Sequence, residues 1–179
     1  MKKTVLLLSL VAFTSVLFAQ TKKTTSATVA FDATTPKDAL PKAENKTVIA
    51  EIDTKSGQIG FEAAVKNFTF TNPTIQAHFN EERWLNSDKF PAFTFMGKIT
   101  DVTKYNFSKN GVYNVTVTGQ LTIKDKTNNV TTPATIEVKN GTLMASASFS
   151  IVLADYGIQV GTAGKIAGEP KITVAAELK

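Results

Sequence analysis

Apolar and polar residues alternate along most of this chain, and the cleanest run lies between Val112 and Val138. Val115, Val117, Gly119, Leu121 and Ile123 fall on every second position, with Thr116, Thr118, Gln120, Thr122 and Lys124 between them. That is the period of a strand buried on one face and wet on the other. After Asp125-Lys126-Thr127-Asn128-Asn129 the alternation resumes from Val130 through Ile136 and Val138, so the spacing predicts two antiparallel strands joined by a polar loop. A lone hairpin with one apolar face is marginal in water, and more sheet must cover it.

The same period recurs on both sides of this hairpin. Val29 and Phe31 predict a first short strand, and the proline-bearing run from Ala33 to Lys46, with Pro36 and Pro41, a long connection, since each proline removes a ladder donor. Val48 to Ile52 predicts a second strand and Ile59, Phe61, Ala63 and Val65 a third, with Phe68 and Phe70 continuing outward. Thr71 to Pro91 breaks the period of two. Asn72 before Pro73 is an N-cap followed by proline at the first helical position, and Ile75 and Phe79 share a face at i, i+4, which predicts a short helical segment near residues 73–86.

Phe93, Phe95, Gly97 and Ile99 then lead through Asn110-Gly111 into the central hairpin, and Asn140-Gly141 repeats that turn signal. A strand from Leu143 to Leu153 follows, then a glycine-rich connection from Gly161 to Gly168, then a last strand through Ile172, Val174, Ala176 and Leu178. About eight strands with short antiparallel connections predict an all-β fold, a single eight-stranded antiparallel barrel closed on itself.

The N-terminus modifies this picture. Lys2 and Lys3 precede an apolar run from Val5 to Ala19, and polar Gln20-Thr21-Lys22-Lys23 follow, the layout of a signal peptide cut after Ala19, although Leu17 stands where a small residue is usual. Residues 1–19 are thus expected to be removed, 20–27 to form a mobile leader, and 28–179 to form the barrel of a periplasmic or secreted protein with no stable membrane insertion. Loss of Lys2 and Lys3 lowers the formal charge from +5 to +3, and the remaining lysines are scattered without interleaved aromatics, which argues against a nucleic-acid partner. The chain has no cysteine, so burial alone must stabilise it.

The inward face raises the functional question. Ala63, Gly119, Ala145 and Ala147 are small residues among bulky ones. Phe61, Phe68, Phe70, Phe79, Phe93, Phe95 and Phe149, together with Trp84, Val117, Leu121, Ile136 and Ile151, fall on or beside inward positions. Such a face either packs as an ordinary core or lines a cavity for a long apolar ligand.

Three motifs in order resemble the YceI-like family of periplasmic and secreted lipocalin-like proteins: Phe90-Pro91 with Phe93 and Phe95; Gly119-Gln120-Leu121-Thr122-Ile123 running on to Val130; and Phe149 through Ile151 to Asp155-Tyr156-Gly157. The resemblance covers roughly residues 28–178. It implies a barrel tunnel holding a polyisoprenoid or similar long-chain lipid such as an isoprenoid quinone, for transport or storage and with no catalytic machinery. No cofactor is expected, and the chain's departures from the family pattern point to a fatty-acid derivative as the other candidate ligand. The chain departs from the family pattern at Leu153, where arginine is frequent, at Asp125, where glycine is frequent, and at Ile75-Gln76-Ala77-His78-Phe79, where the family reads Arg-Asp-x-His-Leu. The runner-up reading is a non-catalytic structural or stress-related barrel with a filled core.

Polar residues add little chemistry. His78 is the only histidine, and with no cysteine a zinc site is not expected. His78, Asp155 and Tyr156 are the candidates for contact with a ligand head group, against a plainer reading in which His78 packs at the barrel mouth and Asp155-Tyr156-Gly157 fixes a strand end. No pair of titratable groups stands at a catalytic spacing. A homodimer is left open.

Overall fold

The computed structural model describes residues 20–179, so the segment read as a signal peptide lies outside the described residues. Nine strands form one sheet: β1 (Thr21–Asp32), β2 (Lys42–Asp53), β3 (Gln58–Ala64), the two-residue β4 (Thr69–Phe70), β5 (Ala92–Ile99), β6 (Gly111–Ile123), β7 (Lys126–Lys139), β8 (Thr142–Ser150) and β9 (Lys171–Leu178), with one helix, α1 (Pro73–Asn80), between β4 and β5. Neighbours run antiparallel in the order β1-β9-β8-β7-β6-β5-β3-β2, and β1 also pairs with β2. The eight long strands therefore close into a barrel, which leaves no long free edge.

Residues 20–27 are not a mobile leader. Thr21, Lys22 and Lys23 pair with Asp53, Ile52 and Glu51, and Lys23 and Lys179 exchange both backbone hydrogen bonds. A polar run without apolar alternation becomes strand here because its backbone closes the seam between β2 and β9, a role that needs donors and acceptors and no apolar side chain. Register shifts at Ala27 bend β1 around the barrel. The proline-bearing connection is correspondingly shorter than expected, since β2 already begins at Lys42.

Fully buried Asn45 holds that early part of β2 in place. Its Nδ2 donates to the Ala64 carbonyl at 2.9 Å, and its Oδ1 accepts from Thr47 N and Thr47 Oγ1, both at 2.9 Å.

The central hairpin is tighter than its polar residues suggested. Ile123 pairs with Lys126 across a two-residue turn in which Lys124 takes φ 57°, so Lys126 to Asn129 belong to β7. The Asn140-Gly141 signal is realised: both residues have positive φ, 52° and 80°, between the paired Lys139 and Thr142. β8 stops at Ser150, short of Leu153, and Leu153–Tyr156 form a 3-10 turn. The helical segment is confined to α1. The Asn72 side chain accepts from Thr74 N and Ile75 N, Pro73 opens the helix, and the residues after Asn80 form turns.

A hollow apolar barrel as the candidate functional site

Cross-strand ladders place the inward residues in layers. Ala50, Phe61, Phe95 and Leu121 are directly opposite one another across β2, β3, β5 and β6. On the other wall Ala134, Ala147, Val174 and Val29 do the same across β7, β8, β9 and β1. The first ladder carries two phenylalanine rings and a leucine, the second only alanine and valine, and that shortfall in bulk leaves space between them. A cavity of ≈ 170 Å³, the space open to the centre of a water-sized sphere, lies between them. One ordered water needs about 10–15 Å³ on that measure, so the space far exceeds a packing defect.

The lining is apolar. Phe61, Phe68, Phe79, Trp84, Phe93, Phe95, Val117, Leu121, Ile136, Ala147, Phe149 and Ile151, all expected on the inward face, line it. Among the described residues no charged side chain does, and its hydroxyl residues are Thr94, Thr132 and Ser146. Thr132 is buried and donates to the Pro133 carbonyl at 3.1 Å, so its hydroxyl has a partner already. Phe61, Phe93, Phe95, Leu121 and Phe149 face inward yet keep part of their surface accessible, as wall residues of an unfilled space must.

Phe70 is the exception among the expected lining residues. It is buried but does not face the cavity; its ring sits 4.9 Å from that of Phe79, beneath α1. The two-residue β4 pairs Phe70 with Ala43 near the start of β2. With Phe31 and Phe68, whose rings lie 6.1 and 5.8 Å from Phe79, it forms an aromatic cap under the helix.

None of the candidate head-group residues lines the cavity. His78 lies on the solvent side of α1, with Nε2 3.9 Å from a Glu81 carboxylate oxygen. Asp155 is exposed, and its carbonyl accepts from Asn128 Nδ2 at 3.1 Å, tying the 3-10 turn to β7. Tyr156 is buried, and burial pushes its phenol above the ordinary range, with Asn128 partly offsetting the effect.

By alternation Gly97 and Gly119 are both inward positions, and Gly119 is expected to leave room. In the barrel they face each other across β5 and β6. A Cβ on Gly119 would lie 2.5 Å from Gly97 Cα and 2.6 Å from Phe95 Cζ, and one on Gly97 would lie 2.6 Å from the same ring carbon. The tip of the Phe95 ring therefore packs against two bare backbones. The pair could have been sought as two glycines at inward positions of neighbouring strands, but only the register shows that they meet.

Ile99, Phe107, Val115, Val138, Leu143 and Leu178 are buried, and none of them lines the cavity. Along β7, β8 and β9 the layer Val138, Leu143 and Leu178 bounds it at one end. Among the described residues no helix is long and apolar enough to cross a membrane.

A family model described as the YceI-like domain matches residues 11–178. The chain belongs to the YceI-like family. The structure of this YceI-like barrel is similar to that of a polyisoprenoid binding domain from Saccharophagus degradans implicated in plant cell wall breakdown, with a TM-score of 0.74 at 10% identity over 89% of this chain and 98% of that one. It is similar also to BcnA of Burkholderia cenocepacia, with a TM-score of 0.67 at 20% identity over 86% and 96% of the two chains. A YCEI protein of Campylobacter jejuni follows, with a TM-score of 0.53 at 18% identity over 74% and 80%. At these identities the likeness is one of fold. No curated protein matches the chain.

Proposed function

We propose that this YceI-like protein binds a long-chain apolar lipid inside its barrel, as an exported carrier or store and without catalysis. The observation that carries the reading is the hollow interior, walled by aromatic and aliphatic side chains with no charged group among the described lining residues. Each methylene moved from water into such a space contributes about 0.8 kcal/mol, so a chain of modest length repays the loss of its freedom on binding. A polyisoprenoid, an isoprenoid quinone or a fatty-acid derivative has the required chemistry. The similarity of fold to a domain named for polyisoprenoid binding favours the first. Export is supported by the sequence of residues 1–19, and the mass of the mature N-terminus checks it.

A filled structural barrel is the competing reading, and the cavity weighs against it. Mass spectrometry of an organic extract of the folded protein from its native host decides between them. A long-chain lipid at near-stoichiometric yield is expected. A clean extract, combined with no uptake of added long-chain lipid, would refute the proposal.

A further inference from the structure

On the wall built by β7, β8 and β9 the change from filled to hollow barrel follows the ladders. Across β7, β8 and β9 the layer Val138, Leu143 and Leu178 is buried and lies outside the cavity. One layer inward, Ile136 pairs with Ala145, both line the cavity, and Ala176 beside them does not. One layer further, Ala134, Ala147, Val174 and Val29 all line it. The change from solid to hollow thus takes place at the level of Ile136 and Ala145. Ile136 borders the cavity yet is only 1% exposed, so its neighbours hold its side chain almost all round and it presents little free surface to the open space. The layer behind it is as tightly buried, with Leu143 at 1% and Leu178 at 0% exposure, and an entering chain has nowhere to continue.

We propose that Ile136 is the floor that sets the longest apolar chain this barrel accepts, with Ala145 opposite it leaving the last space available. The inference rests on the lipid-binding reading and goes beyond it by assigning chain-length specificity to one layer of the wall. Each methylene that fits above the floor strengthens binding by about fourfold, and a methylene beyond it must bend back or stay in water and gains nothing. Affinity plotted against chain length therefore rises and then breaks at the length at which the chain end meets Ile136.

The test measures the affinity of delipidated protein for a homologous series of unbranched saturated fatty acids, by competition with a fluorescent fatty acid. Ile136→Ala removes three carbons from the floor and is expected to move the break to chains longer by about two or three carbons. Ala145→Leu fills the space opposite and is expected to move it to shorter chains by a similar amount. Should Ile136→Ala fail to fold, the shift in Ala145→Leu decides alone. Wild-type protein that binds the series while both folded variants break at the wild-type length overturns the ruler and leaves the lipid-binding reading standing. Wild-type protein that binds no member of this series and no isoprenol overturns both.

Discussion

Replacing Ala147 by phenylalanine separates a hollow barrel from a filled one by the sign of a stability change. Ala147 sits in the middle of β8, opposite Ala134 on one side and Val174 on the other, with its methyl group toward the cavity. In a filled interior the added ring would overpack, at a cost of about 1–3 kcal/mol. In the space seen here the ring has room, and burying it contributes up to about 2 kcal/mol, reduced by the loss of its rotamer freedom. Phenylalanine also suits a strand. The expected result for delipidated protein is an unfolding free energy equal to or above that of wild type, measured by urea titration with an unchanged slope. Bound lipid must be removed first, because it would stabilise the wild type selectively and mask the comparison. The same ring should abolish uptake of a fluorescent long-chain lipid. A variant destabilised by more than about 1 kcal/mol that still takes up lipid normally would refute the reasoning.

Two other perturbations test different parts of the structure. Gly119→Ala drives a methyl group against the Gly97 backbone and the Phe95 ring, and should destabilise the barrel by about 1–3 kcal/mol in the same titration, more than alanine at the outward Gly60, where the nearest atoms are the flexible ends of Glu51 and Met96. Asp53 accepts backbone hydrogen bonds from Ser56 and Lys55 in the β2–β3 turn, which hold its carboxyl below its ordinary value. A lowered folded-state pKa gives stability that is present above the unfolded value and lost as pH falls through the folded one. The acid limb of a stability–pH profile should therefore flatten in Asp53→Asn, while the profile above the carboxylate range keeps its shape.

How much of this was legible in the sequence differs from element to element. Alternation assigned the inward residues of β5, β6 and β8 because a half-buried strand must repeat every second residue, and the Asn140-Gly141 turn was readable because its two positive φ values suit those residue types. Asn72 and Pro73 marked the start of α1 for the same local reason. The beginning of β1 was not legible: Thr21 to Ser26 carry no apolar period, and they are strand only because β2 and the end of β9 offer backbone partners. The end of β8 was overrun, since Leu153 keeps the alternation by position while its backbone has already turned into the 3-10 segment.

The sequence by itself determined that an apolar face exists, which residues are on it, and the family to which the chain belongs. Whether that face encloses a solid core or an open space was decided only by tertiary structure. A core and a cavity wall use the same residues at the same period, and they differ in what stands opposite. Closure and register set the alanines of β7 and β8 at the level of the open space, lay Phe95 on two glycines, and stack Val138, Leu143 and Leu178 into a buried layer outside that space. They also left His78 and Asp155 on the outside and took Phe70 away from the cavity. Those distances across the barrel join residues far apart in the chain, and no local pattern records them.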